Sequence, residues 1–223
     1  MNNLKKFLAF LVIGCILLTG CANGNDKTTE SGAASEGLHG VTESKPLAVD
    51  KEKKTVTIYT TFNGKFLTEP TRHLVIYKDG KLADMSVFSS LVSPEDFHKA
   101  LEDVGAEPGN NMTADNASKT LTEGTPLKVT LYWEGNENGT EVNDAIEDSN
   151  GKKIDMKFSG NLQNSKDFNT GCISCLDSCF VGITSNATYP LGAIEETKEV
   201  EFKPNAEKLP KDKEPVAIVY SLD

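Results

Sequence analysis

Six stretches of the chain alternate apolar and polar residues with a period of two, and this constrains the fold more than any other feature. In the first, Val56, Ile58 and Phe62 face one way while Thr55, Thr57, Tyr59 and Thr61 face the other, the signature of a half-buried strand. The same pattern recurs at Leu74-Ile76, Leu127-Val129-Leu131-Trp133, Ile154-Met156-Phe158, Val200-Phe202 and Val216-Ile218-Tyr220. Asp79-Gly80 lies between two such runs and reads as a tight hairpin turn, with Asn63-Gly64 and Asn150-Gly151 as weaker signals of the same kind.

One helix stands out against this background. Ser93 suits its N-cap, Pro94 its first position, Glu95 and Asp96 its dipole and Gly105 its end, while Phe97, Ala100, Leu101 and Val104 form a buried stripe. His98 falls at the edge of that stripe, as a surface or boundary residue. From Glu107 to Thr125 periodicity is lost and a long loop is expected. The fold class is therefore α+β and β-rich: a mainly antiparallel sheet or sandwich, one clear helix over about 93–104, and a short cysteine-bearing helical loop.

The first twenty residues carry a different message. Lys5 and Lys6 precede an apolar run from Phe7 to Leu18, shorter than the ~20 residues a helix needs to cross a bilayer. The run ends in Leu17-Leu18-Thr19-Gly20-Cys21, which resembles the lipobox of bacterial lipoproteins. That likeness implies cleavage before Cys21, lipidation of its thiol with diacylglycerol and an acyl chain such as palmitate, and a place on the extracytoplasmic face of the cell membrane. The expected organisation is a leader over 1–20, a lipidated N-terminus and flexible tether over 21–46, and one globular domain over 47–223. The tether is polar, with Leu38 and Val41 as its only large apolar residues, and His39 within it is read as a solvated linker histidine.

Charge narrows the partners. The chain carries −10, and loss of Lys5 and Lys6 with the leader takes it to −12. Arg72 is the only arginine, so there is no guanidinium cluster to grip phosphate, and nucleic acid is excluded as a partner. The expected partners are the membrane, through the lipid, and an envelope protein or redox partner. No nucleophile elbow, phosphate-binding glycine loop or zinc-protease motif is present, and no catalytic residue is assigned.

Chemistry concentrates in Cys172-Ile173-Ser174-Cys175-Leu176-Asp177-Ser178-Cys179-Phe180. With Cys15 in the leader and Cys21 lipidated, these are the three thiols of the mature protein. Three readings stay open. On a helix, positions 172, 175 and 179 share one face with Leu176 and form an apolar stripe. An oxidising setting suits a disulfide between Cys172 and Cys175, with Cys179 left as a partner thiol. Three convergent thiolates also suit zinc or an iron–sulfur cluster, with a fourth ligand from His73, His98, a carboxylate such as Asp177, or an exogenous molecule.

Two segments, Leu91 to Asn111 and Asn169 to Asn186, resemble the YdjY-like domain family. Members of that family often carry export signals, and some are described as ferredoxin-like for their cysteines. The resemblance implies an exported accessory protein in which Cys172, Cys175 and Cys179 are ligands or exchanging thiols. The ferredoxin run ends in proline after its last cysteine, where this chain has Phe180. The competing reading is a non-catalytic envelope binding module that recognises its partner through long loops, its cysteines being structural.

Overall fold

The computed structural model of the protein describes residues 37–222, so the leader, Cys21 and the first part of the tether lie outside the described residues. The elements run β1 (Leu47–Asp50), β2 (Thr55–Phe62), β3 (His73–Tyr77), β4 (Ser86–Ser90) and α1 (Pro94–Asp103). There follow β5 (Lys128–Tyr132), β6 (Thr140–Glu141), a one-turn α2 (Val142–Ala145) and β7 (Ile146–Asp148). The last part comprises β8 (Met156–Phe158), α3 (Leu162–Phe168), β9 (Cys172–Cys175), β10 (Thr184–Asn186), β11 (Phe202–Pro204) and β12 (Pro215–Ser221).

Ten strands form one sheet in the order β6-β5-β12-β2-β4-β3-β9-β10-β8, with β1 added on β2, and β7 and β11 form a separate pair. The sequence alternation is realised most directly in β2 and β12, which pair antiparallel from Thr61↔Pro215 to Thr55↔Ser221. That register sets Ile58 opposite Ile218 and Val56 opposite Tyr220, all fully buried. The helix α1 forms as expected. The Ser93 hydroxyl accepts from the Asp96 N–H at 3.1 Å, and at the other end the Ala106 N–H reaches the Leu101 carbonyl and the Gly105 N–H that of Glu102. Gly105 takes φ +92 to make this pair of closing bonds. The buried stripe of α1 sets Phe97 edge-on against Tyr220 of β12 at 4.7 Å.

The structure corrects several expectations. The sheet is mainly antiparallel, as expected, but it is mixed, because β3 runs parallel to β4 and β9 parallel to β10. Asp79-Gly80 is therefore not a hairpin: residues 78–85 cross back to bring β4 alongside β3 in the same direction. Gly80 serves a close backbone approach instead, since a Cβ there would lie 2.5 Å from both the Gly171 Cα and the Thr170 carbonyl oxygen. The N–H groups of Tyr77, Lys81 and Leu82 donate to the carbonyls of Gly171, Asn169 and Thr170, so this turn holds the entry to β9. The cysteine segment is not helical. Cys172–Cys175 is an interior strand hydrogen-bonded on both edges, to β3 and to β10, and those ladders supply the backbone partners that a helix would otherwise provide.

Packing also begins before position 47. Leu38 and Val41 exchange backbone hydrogen bonds at 3.0 Å, Val41 is fully buried, and the His39 ring stacks on Tyr132 at 3.6 Å. The two apolar residues anchor a stretch whose polar composition hides them. His98 is buried rather than superficial, edge-on to Phe158 at 4.9 Å with its Nδ1 3.4 Å from Glu102, and burial lowers its pKa. The loop from 107 to 125 is long but anchored: Met112 and Ala117 are buried, and the N–H groups of Gly109 and Asn110 donate to Phe158 and Ser159.

Gly80→Ala is expected to lower the unfolding free energy by more than about 1 kcal/mol, because the added methyl must displace backbone rather than a flexible side chain. Urea denaturation measures the loss. Faster labelling of Cys172, Cys175 and Cys179 in the native protein would accompany it, since the turn fixes the start of the strand that carries two of them.

Candidate metal centre

In a regular strand Cys172 and Cys175, three residues apart, would point to opposite faces. The pairing of β3 with β9 resolves this by irregularity: the register runs His73↔Cys175, Val75↔Ser174, Ile76↔Cys172, with a shift on either side of Val75. Each strand thus carries one extra residue, Leu74 in β3 and Ile173 in β9, and the two bulges compensate. Leu74, Val75 and Ile173 go to the main core, while Ile76, Cys172 and Cys175 turn together into a second cluster with Cys179 and Val181. Bulges re-aim side chains in this way beside functional sites.

The consequence is convergence. The His73 Nδ1 lies 3.7 Å from the Cys172 Sγ, and one ligand atom each from His73, Cys172 and Cys175 lie within 4.8 Å of one another. All three residues are buried, as is Cys179, and all three cysteines are free thiols. Cys179 lies outside that group of three but belongs to the same buried cluster as Cys172 and Cys175. The neighbouring Cys172 and Cys179 thiols, together with burial, raise the Cys175 pKa well above the ordinary thiol range. The Cys175 hydrogen bond, helped by His73 and Thr170, holds Cys172 well below that range against the effect of burial. Cys179 is lowered by the same donor and by the Arg72 charge.

The loop that carries Cys179 is held on every side. The Asn161 amide donates to the carbonyls of Cys179 (2.9 Å) and Gly182 (3.2 Å), and the Asn186 amide donates to Leu176. Ser178 accepts from the Thr122 N–H at 2.9 Å, and Phe180, in the place of the ferredoxin proline, packs edge-on against Phe168 at 5.3 Å. Beneath the thiols Arg72 meets Asp177, with Nε at 3.1 and 3.3 Å from the two carboxylate oxygens and Nη2 also in contact. Burial raises the Asp177 pKa, and the guanidinium opposes that rise. Burial works against the Arg72 charge too, but Asp177, Cys179 and Cys175 more than offset it and raise the guanidinium pKa.

Among the suggested fourth ligands, the structure brings His73 to the cysteines. Asp177 is committed to Arg72 and to the Gly192 N–H, and His98 packs on Phe158, outside any group of metal-ligating side chains among the described residues. Cys21 lies outside the described residues. Sequence reading did not single out Ser185, which pairs in register with Cys175 and whose buried hydroxyl has no partner among the described residues. Nor did it single out Gly182, where a Cβ would sit 3.1 Å from both the Cys175 Sγ and the Ser185 Oγ. The absent side chain leaves a notch between that sulfur and that hydroxyl.

Residues 47–221 match the YdjY domain family. The chain is 42% identical over 218 residues to the uncharacterized protein YdjY of Escherichia coli (strain K12), a likeness that covers 98% of this chain and 95% of that relative. No solved structure matches the chain.

Removing one partner of a buried ion pair strands the other, so Arg72→Met is expected to cost about 3–5 kcal/mol of stability. Changing both, Arg72→Met with Asp177→Leu, is expected to cost markedly less. Chemical denaturation of the single and double variants separates the two cases.

Proposed function

The chain belongs to the YdjY domain family, and from that premise we propose that it is an exported, lipid-anchored protein whose domain holds one thiophilic metal ion between His73, Cys172, Cys175 and Cys179. The observation that carries this reading is the convergence of three buried soft donors within 4.8 Å. A zinc ion bonds sulfur at about 2.3 Å and imidazole nitrogen at about 2.0–2.1 Å in a tetrahedron, so its ligand atoms stand about 3.5–3.8 Å apart, and the His73 Nδ1 and Cys172 Sγ are 3.7 Å apart. The donors are within a small adjustment of that spacing. An iron–sulfur cluster sets several irons and sulfides between its thiolates and calls for a wider cage. Zinc suits the donor set best: a closed, buried set of three sulfurs and one imidazole is its structural coordination.

The protein's own residues supply what binding needs. Cys172 and Cys179 offer sulfurs already lowered toward thiolate, and Cys175 must give up its proton. Arg72 places a positive charge beside Cys175 and Cys179, which lowers the cost of gathering three thiolates in a buried place. Ser185 holds the one unused donor next to Cys175, in position to hydrogen-bond its sulfur once that sulfur is a thiolate. Such a centre would clamp β3, β9 and the Cys179 loop together, and outside the cytosol it would shield three thiols from oxidation. The address rests on the leader, whose Cys21 would carry the lipid.

Metal and sulfide analysis of the protein purified without oxygen tests the centre. About one zinc per chain is expected, with no acid-labile sulfide and with thiols that react only after chelation. Cys175→Ser should abolish binding, and Ser185→Ala should weaken it by about 10–100-fold, as outer-shell partners do. Iron with sulfide would replace the single ion by a cluster, and metal-free protein with reactive native thiols would remove the reading altogether.

The address is tested separately. Cys21→Ala should abolish incorporation of labelled fatty acid and shift the protein out of the membrane fraction, and unchanged fractionation would refute lipid anchoring.

A further inference from the structure

Residues from 37 to 43, Tyr59 of β2, the end of β5 and Glu214-Pro215 line an open cavity of about 770 Å³, within the range of about 300–1,000 Å³ typical of small-molecule sites. Its walls are aromatic: Tyr59, Tyr132 and Trp133, the single tryptophan of the chain, all half-buried. The Tyr132 ring is fixed from two directions. His39 stacks on it at 3.6 Å, and Gly139, at φ +73, leaves room where a Cβ would come within 2.6 Å of its edge.

The same space is lined by four carboxylates, Glu43, Glu134, Glu137 and Glu214, and, among the described residues, by no lysine or arginine. Among the described residues none of Glu43, Glu134 and Glu137 takes part in an ion pair with a lysine or arginine. Burial and the Glu43 carboxylate together raise the Tyr59 phenol pKa. Partial desolvation lowers the His39 pKa.

Each half of this lining alone is ordinary. Exposed glutamates form a solvated rim, and half-buried rings form an apolar dent. On one concave wall they select a single chemistry, because ring faces carry negative charge density and attract cations that have shed water. A hydrated inorganic ion gains little from the rings, and a neutral solute gains nothing from the carboxylates. We propose that this cavity binds a small organic ammonium ion, its alkyl groups against Tyr59, Tyr132 and Trp133 and its charge offset by the glutamates. The site is independent of the metal centre and does not rest on it.

Trp133 is its own reporter. The whole protein is titrated at constant ionic strength with choline and with 3,3-dimethylbutan-1-ol, its neutral isostere, while tryptophan fluorescence is followed. A saturable change with choline is expected, with affinity about tenfold or more above that for the alcohol. Glu134→Gln combined with Glu137→Gln should weaken choline several-fold and leave the alcohol unchanged. No saturable response to choline, or equal response to both solutes in the unmodified protein, would overturn the proposal without any variant having to fold.

Discussion

The pairing of β3 with β9 is the contact on which the chemistry of this domain depends. A strand displays side chains on alternate faces, so two cysteines three residues apart cannot meet on a regular one. The extra residue in each of the two strands repairs this twice over, turning Cys172 and Cys175 to one side and bringing His73 opposite Cys175. Neither bulge would suffice alone. One would leave the register shifted for the rest of the pair and send Ile76 and Cys172 to different faces. The compensation keeps both strands in the sheet while converting a Cys-x2-Cys spacing into a convergent pair.

That arrangement costs desolvation, and the surroundings offset it. Four polar or ionisable side chains are gathered in a region from which water is excluded, next to a buried carboxylate. Arg72 answers two demands at once, pairing with Asp177 and lowering Cys179, and its being the only arginine makes the placement more telling. A lysine would offer a point charge where the carboxylate here receives a fork of two nitrogens. The Asn161 and Asn186 amides then satisfy the carbonyls that the turn after β9 exposes, so the Cys179 loop is held by side chains where it lacks a ladder.

How much of this was legible in the sequence follows from which signals are local. β2, β12 and α1 could be read because alternation, capping and the closing glycine act within a few residues. The cysteine segment could not, since positions 172, 175 and 179 suit a helical face as well as a bulged strand, and the choice is made by β3 and β10, far away in sequence. Asp79-Gly80 carried a true local signal with a different cause: the glycine is needed for passage against Gly171, not for a hairpin. His73 was one of several residues named beside the cysteines until a strand register brought it to them, and Ser185 and Gly182 had no signal at all. Val41 shows the opposite failure, a composition reading that averaged one decisive apolar residue into a polar stretch.

The same averaging hid the aromatic cavity. An overall charge of −10 reads as a solvated surface, and over most of the molecule the lysines bear that out by pairing with neighbouring carboxylates. Among the described residues no lysine or arginine lines the cavity beside Trp133, and glutamates gather there beside half-buried rings. Carboxylates gathered with aromatic rings on one concave wall are a local statement about what that place accepts. The described residues thus form two clusters of different kinds. One is buried, sulfur-rich and built by a strand register; the other is open, carboxylate-rimmed and built where residues 37–43 close over the sheet edge.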